Sequence, residues 1–386
     1  MELKYIDLFC GIGGFHQVLR KLNCKCILAC DIDKDCRRSY ELNYGIKPVN
    51  DVKEINADEL EDFDIICAGF PCQAFSNGGK KKCFEDTRGL LFDEIIRIAT
   101  VKKPKFMFLE NVKHILKVSN GEVIEYIKDK IDKCGYNLQL FNMSPHEYGV
   151  PQQRERIYFV CVRKDIYKHD IQLIFPKVST KPDLTLFLDK DVNEKYYITG
   201  DILECLEAWD TIIKKFKVGE KISPTIMLND YNQFYSEEEF NNLAQWKQDY
   251  MSKNLPLITK YQAEFDEMYA NYHEILTKRV IYGQLDWQTG KIRENESIFN
   301  HFIQIRQSGI RVKKAEYFPT LVAISQIPIY GKEKRYITPR ECARLQGFPE
   351  DYIIDPNDKI SYKQFGNSVC VDNVRNVIES CLNLYK

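Results

Sequence analysis

The chain has 386 residues, 44% of them hydrophobic, and a formal net charge of -1. That length suits about two domains, and the apolar fraction is enough to bury a core. The balanced charge excludes a uniformly basic nucleic-acid binder but leaves room for a local basic surface.

No apolar run is long enough to span a membrane, and MELKYIDLFCGIGGF lacks the basic-then-apolar pattern of a secretory signal. The chain therefore reads as soluble and cytoplasmic, and its 14 cysteines as reduced thiols. The tightest group, Cys24, Cys26, Cys30 and Cys36, has neither paired CxxC spacing nor interleaved histidine. It reads as small apolar residues of a strand and the helix after it, not as a metal site.

In chain order, KYIDLFC is a strand, GIGG a turn and FHQVLRKL a helix. CILACDID is a second strand, followed by a helix through KDCRRSYELNY; DFDIICAGF is another strand. LLFDEIIRIATVKK is helical, KFMFLENV a strand, and VIEYIKDKIDKCG a helix with Gly135 as its C-terminal cap. NLQLFNM and RIYFVCV follow as strands. This alternation predicts a mostly parallel α/β sheet, with ligands at the carboxyl ends of its strands.

After about residue 175 the alternation fails. From Ser236 to Lys278 the chain is charged and helical, and Ile258, Tyr261, Phe265, Met268, Tyr269, Tyr272 and Ile275 recur at helical spacing. That stripe reads as core-facing, with a partner-binding helix as the alternative. Between 301 and 345, Arg306, Arg311, Lys313, Lys314, Lys332, Lys334, Arg335, Arg340 and Arg344 face only Glu316, Glu333 and Glu341. Composition leaves a solvated loop and a phosphate-contacting surface as equal readings.

Chemistry concentrates at the strand ends. Phe9-Cys10-Gly11-Ile12-Gly13-Gly14 lets backbone approach a ligand, although GxGG is weaker than the dinucleotide fingerprint. Asp31 or Asp33 could accept ribose hydroxyls, and Asp51, after what reads as a further strand, an adenine amino group; the spacing suits an adenosine-containing cofactor. Gly69-Phe70-Pro71-Cys72-Gln73-Ala74-Phe75-Ser76 puts a cysteine after a proline at a strand end. A thiolate there needs positive charge nearby. Glu110-Asn111-Val112 and Gln153-Arg154-Glu155-Arg156 bring a carboxyl and guanidinium groups to the same edge, making a nucleophile, a proton donor and an oxyanion stabiliser.

DLFCGIGGF, GFPCQAFS, DTRGLLF, ENV, QRERIYFV, RECARLQGFPEDY and QFGNSV occur in this order. The set resembles that of DNA (cytosine-5)-methyltransferases of the bacterial restriction–modification type, over roughly residues 3–165 and 335–380. The resemblance implies a Rossmann-like class I methyltransferase fold over about 1–175, completed by 360–386, with a target-recognition domain and hinge at 176–359. Cys72 would attack carbon 6 of a flipped-out cytosine, Glu110 would hold ring nitrogen 3, and Arg156 would contact O2 with Arg154 in support.

S-adenosylmethionine would lie among Phe9, Gly11, Ile12, Gly13 and Gly14, with Asp31 at the ribose, Ile32 and Val52 on the adenine faces, and Asp51 at its edge. Pro71, Leu91 and Asn367 would complete that pocket, with the Gly366–Val369 segment returning beside Gly11 and Gly13. Cys10 stands where many relatives have Ala, and Asp31 where many have Glu; both keep the chemistry.

The implied partner is double-stranded DNA, bound by a monomer. A cognate restriction endonuclease would act on the same site without a stable complex, and DNA-bound enzyme would be nucleoid-associated. The loop from Gln73 to Arg88, with Ser76 and Lys80–Lys82, would close over the flipped base. Arg306, Arg311, Lys313, Lys314 and Thr320, the last in a Thr-Leu pair typical of recognition regions, would contact DNA. The rivals are an RNA cytosine-5 methyltransferase and an inactive DNA-binding relative. The first is disfavoured by the absence of a Cys-Phe-Thr signature, the second by intact Cys72, Glu110 and Arg156.

Overall fold

The computed structural model describes residues 2–71, 90–168, 173–222, 224–228, 236–324 and 326–385. The chain divides into two units: residues 1–183 with 339–386, and residues 184–338.

The first unit is built on β1 (Lys4–Leu8), β2 (Lys25–Cys30), β3 (Ile65–Gly69), β4 (Phe106–Val112), β5 (Tyr136–Met143) and β6 (Arg156–Arg163), in the order β2-β1-β3-β4-β6-β5. The first four strands pair in parallel; β6 runs antiparallel to both β4 and β5. The sheet is therefore mostly parallel, as the alternation predicts, with one reversed strand that periodicity could not show. Because β2 and β3 flank β1, the order reverses there, and crevices for ligands form at such switch points.

Both faces of this sheet are covered. Ile6, Leu8, Ile66, Ala68, Met107, Leu109, Ile157, Phe159 and Cys161 share one core with Phe92, Ile95 and Ile98 of α3 (Leu90–Lys102) and Ile124, Ile127 and Ile131 of α4 (Glu122–Lys133). The intervening Tyr5 and Asp7 meet α1 (Gly14–Lys21) and α2 (Lys34–Tyr44): the Tyr5 hydroxyl lies 2.8 Å from His16 Nδ1, and the Tyr40 hydroxyl donates to Asp7 Oδ2 at 3.3 Å. The period-two alternation thus reads directly onto two helical layers. Gly135 ends α4 at φ 92°, its N–H donating to the Asp132 carbonyl, the cap expected of a glycine there.

The second unit holds α5 (Gly200–Lys215), α6 (Glu237–Asn241), α7 (Gln245–Lys260), α8 (Gln262–Lys278) and a sheet ordered β12-β11-β9-β10-β8-β7. Its strands are β7 (Thr225–Met227), β8 (Gln284–Trp287), β9 (Phe302–Arg306), β10 (Gly309–Lys313), β11 (Ile329–Tyr330) and β12 (Arg335–Tyr336). Ile258, Tyr261, Phe265, Met268 and Ile275 sit in its core around the buried Trp209, and Tyr272 packs against it. The apolar stripe is thus core-facing, spread over two helices that break at Tyr261.

The return to the first unit comes at Pro339, earlier than the expected 360. Residues 339–357, which include α9 (Pro339–Leu345), are tied to that unit before α10 (Asp358–Asn367) begins. The Tyr352 hydroxyl donates to the Ile12 carbonyl at 3.2 Å, Gln152 Nε2 to the Leu345 carbonyl at 2.8 Å, and Arg38 pairs with Asp355. The chain closes with α11 (Val371–Tyr385), which packs on α1.

Candidate active site

The turn after β1 is shaped by its glycines in three different ways. Gly11 has φ 52° and open space where a Cβ would stand. Gly13, at φ 84°, has no such room: a Cβ would lie 2.3 Å from the Tyr44 ring, whose hydroxyl bonds the Ile12 and Gly13 carbonyls. A Cβ on Gly14 would lie 2.4 Å from Val369 Cγ2. Gly13 and Gly14 are therefore required by protein packing, and only Gly11 faces open space. Ile12 is buried, and Phe9 holds a positive φ of 53°. The Gly366–Val369 segment does return to this turn, where Val369 meets Gly14, and Val369 also reaches Gly69 at the end of β3.

At the end of β2, Asp31 accepts the Gly11 N–H at 2.7 Å on one oxygen and the Asp33 N–H at 2.8 Å on the other. Burial raises its pKa, against those two amide bonds. Each carboxylate oxygen still has capacity to accept once more. Asp33 is differently employed: it caps α2 through the Asp35 and Cys36 N–H groups and pairs with Lys363 at 2.6 Å. Geometry thus favours Asp31 over Asp33 as the residue open to a ligand.

Ile32, beside it, is 74% exposed. The bridge between Cys30 and Val49 sets Asp51 next to this edge, where Asp51 caps a short 3-10 turn by accepting the Lys53 N–H. The strand expected before Asp51 is only this single bridge, and Val52 lies in the core. Leu91 is half-buried, while Pro71 and Asn367 are exposed. Open space at Gly11, an under-used carboxylate and an exposed apolar side chain together fit the methionine, ribose and adenine parts of S-adenosylmethionine.

The second half of the edge is charged. Glu110, near the end of β4, has its carboxylate 3.0 Å from Arg156 Nε at the start of β6, adjacent antiparallel strands. Burial raises the Glu110 pKa, opposed by Arg156 and then Arg154. Arg154 is pushed down to about 9 by burial first and then by Arg156. It donates to the Gly366 and Ser368 carbonyls at 3.0 and 2.8 Å, so it holds the C-terminal segment in place. A buried carboxyl with a raised pKa is a better proton donor than an exposed one, and a neighbouring guanidinium can stabilise developing negative charge.

Cys72, Gln73, Ser76 and Arg88 lie outside the described residues. The described chain leads up to them: Asn111 Nδ2 donates to the Phe70 carbonyl at 2.9 Å, fixing the backbone two residues before Cys72 to the strand that carries Glu110. Asn111 was legible only as the middle of Glu110-Asn111-Val112. Its signal was a polar residue on a buried strand, needing a partner on the face opposite Glu110.

In the second unit, Arg306, Arg311 and Lys313 share one face of the β9–β10 hairpin, Lys314 is exposed just beyond it, and Thr320 is half-buried. The rest of the basic stretch is largely structural. Arg335 is fully buried against Glu333, Lys334 pairs with Glu207, Arg344 with Glu350, and Arg340 bonds the Pro349 and Tyr352 carbonyls. Among the described residues no helix is long and apolar enough to cross a membrane.

The chain is 32% identical over 370 residues to the Type II methyltransferase M.HhaI of Haemophilus parahaemolyticus, covering 96% of this chain and 91% of that one. It is 33% identical to the Type II methyltransferase M.HpaII of Haemophilus parainfluenzae, covering 100% and 91%. Among solved structures, the methyltransferase EhMeth of Entamoeba histolytica matches with a TM-score of 0.60 at 21% identity, covering 100% of this chain and 99% of that one. The S. pombe Dnmt2 methyltransferase also gives 0.60, at 18% identity and 99% coverage of each; both likenesses show the fold. Residues 3–383 match the family described as C-5 cytosine-specific DNA methylase, and the chain belongs to that family, enzymes that methylate DNA with S-adenosylmethionine as methyl donor.

Proposed function

We propose that this enzyme methylates one cytosine within a specific duplex sequence, acting on a flipped-out base through a covalent bond to Cys72. The observation that carries the reading is the sheet edge itself. The Gly11–Asp31 cradle, the Glu110–Arg156 pair and the Asn111 clamp on Phe70 all lie at strand ends around one switch point.

The Cys72 thiolate adds to carbon 6 of cytosine, and the electrons of the 5,6 double bond move towards carbon 5. Glu110 holds ring nitrogen 3 and supplies a proton as charge builds there, which its burial-raised pKa suits. Arg156 faces O2. S-adenosylmethionine supplies an electrophilic methyl group for carbon 5. Loss of the carbon-5 proton to a base then restores the 5,6 double bond, breaks the bond from carbon 6 to sulfur to release the Cys72 thiolate, and returns the nitrogen-3 proton to Glu110.

The target nucleotide must leave the stack for Cys72 to reach carbon 6. Asp31 holds the cofactor ribose and Ile32 one adenine face, with Asp51 at the adenine edge. Residues 184–338 select the sequence. The enzyme works as a monomer and protects DNA from a restriction endonuclease that cuts the same site.

The test is trapping on duplex DNA carrying 5-fluorocytosine, where the fluorine cannot leave as a proton. Wild type is expected to form a complex stable to denaturation, and Cys72→Ser none, with methyl transfer lost because a hydroxyl yields little anion at neutral pH. Methyl transfer by Cys72→Ser at the wild-type rate overturns the assignment.

A further inference from the structure

One face of the second unit's sheet is apolar; the other is mixed, with the buried Phe302 and Tyr330 on its β9–β11 side and polar side chains beside them. Ile226, Leu285, Trp287, Ile303, Ile310, Val312 and Ile329 point into the core. Pairing register puts Asp286 of β8, Gln304 and Arg306 of β9, and Arg311 and Lys313 of β10 on the opposite face. At the β12 end, Arg335 is already paired with Glu333. Among the described residues, that leaves Arg306, Arg311 and Lys313 against a single carboxylate, Asp286. The three cations repel one another, and burial together with that repulsion lowers the pKa of Arg306 and Lys313. A half-buried set of like charges costs stability unless an anionic partner completes it.

Within that set Arg311 is held differently from the others. Asp286 is 5% exposed and accepts Arg311 Nε at 2.6 Å; Gln288 Nε2 donates to the two Asp286 oxygens at 3.1 and 3.2 Å. The carboxylate is thus fixed from one side and fixes the guanidinium from the other. Because the bond is made at Nε, the two terminal nitrogens of Arg311 have no partner among the described residues. Arg306 is anchored more weakly, through Nε to the neutral Gln326 Oε1 at 3.0 Å. Lys313 is a point charge without a fork.

A guanidinium immobilised at Nε, with both terminal nitrogens presented together, matches the paired acceptors O6 and N7 of guanine in the major groove. We infer that Arg311, positioned by Asp286, reads one guanine of the target site outside the target base pair, while Lys313 contacts phosphate. This rests on the proposal that the second unit selects the sequence.

The experiment methylates a random-sequence duplex library with the full-length enzyme and S-adenosylmethionine, and reads the marks by bisulfite sequencing. Wild type should require a guanine at one such position. Arg311→Gln, which keeps a donor for Asp286 but suits adenine, should lower guanine preference there about ten- to hundredfold and move it towards adenine. Arg311→Lys keeps the charge and loses the fork, so it should lose the same preference. Asp286→Asn should relax that position alone, to a smaller degree. Lys313→Ala should weaken all sites alike and flatten the salt dependence. Either Arg311 variant methylating fewer sites with an unchanged preference overturns the inference, as does a wild-type site with no guanine outside the target pair. No marks from wild type on any duplex would instead remove the functional proposal beneath it.

Discussion

Replacing Asp31 with Asn separates what this residue does for the fold from what it does for the cofactor. The carboxylate accepts two main-chain N–H groups, from Gly11 at 2.7 Å and Asp33 at 2.8 Å. Asn keeps one acceptor oxygen and turns an amide donor towards the other N–H. One charge-assisted bond is therefore lost, at a cost of about 1.5–3 kcal/mol of stability. A ribose hydroxyl donating to the same carboxylate loses a bond of the same kind, so affinity for S-adenosylmethionine should fall roughly ten- to hundredfold.

Asp33→Asn is the control. It disturbs an N-cap and the Lys363 pair, and should lower stability without moving cofactor affinity. Calorimetric titration with the cofactor and its demethylated product gives the affinities, and urea unfolding gives the stabilities. Cofactor affinity within twofold of wild type in Asp31→Asn, or an equal loss in Asp33→Asn, would refute the placement of the ribose at Asp31.

Gly14→Ala should destabilise the protein by about 1–3 kcal/mol, because the new methyl meets Val369 Cγ2 at 2.4 Å. Adding Val369→Ala should recover part of the loss, and a double-mutant cycle in urea that shows no coupling would mean the two segments do not press together. His16 is buried against the Tyr5 and Tyr40 hydroxyls, and burial pushes its pKa down to about 4. The unfolded chain takes up this proton near pH 6.5, so the stability is fully present above that value and is lost as pH falls towards 4. The change is roughly 3 kcal/mol, and urea midpoints across that window should slope less in His16→Asn than in wild type.

What the sequence disclosed follows from physics that acts locally. The strands of the first unit were legible because each is a short apolar run bounded by turn residues, and α4 because Gly135 closes a periodic stretch. Asp31, Glu110 and Arg156 were legible because they sit where strands end. The antiparallel course of β6 was not, since a strand buried on both faces carries the same apolar run in either direction. Neither was the division of labour among the glycines, which depends on Tyr44 and on Val369, far away in the chain. Composition left the basic stretch undivided for the same reason. It counts Arg335 and Arg344 equally with Arg306 and Lys313, yet the first two pair with Glu333 and Glu350.

The residues that position this edge are held by side chains gripping main-chain carbonyls across long sequence intervals. Asn111 holds Phe70, Gln152 holds Leu345, Arg154 holds Gly366 and Ser368, Gln346 holds Phe365 at 2.7 Å, and Tyr352 holds Ile12. Carbonyl oxygens are present whatever the residue, so these grips constrain the path of the chain more than the identity of the gripped position. Four of the five act on, or come from, the segment that follows the second unit. Closing a flexible loop grows more costly only as the logarithm of its length, about 0.6 kcal/mol for each doubling. A handful of buried hydrogen bonds, each worth about 1 kcal/mol, is enough to bring the chain back to the same place whatever has been inserted before it. The charged pair at Glu110 and Arg156 is thereby insulated from the length and content of the intervening unit; on the function proposed above, the segment that selects the sequence can change while the chemistry at the sheet edge does not.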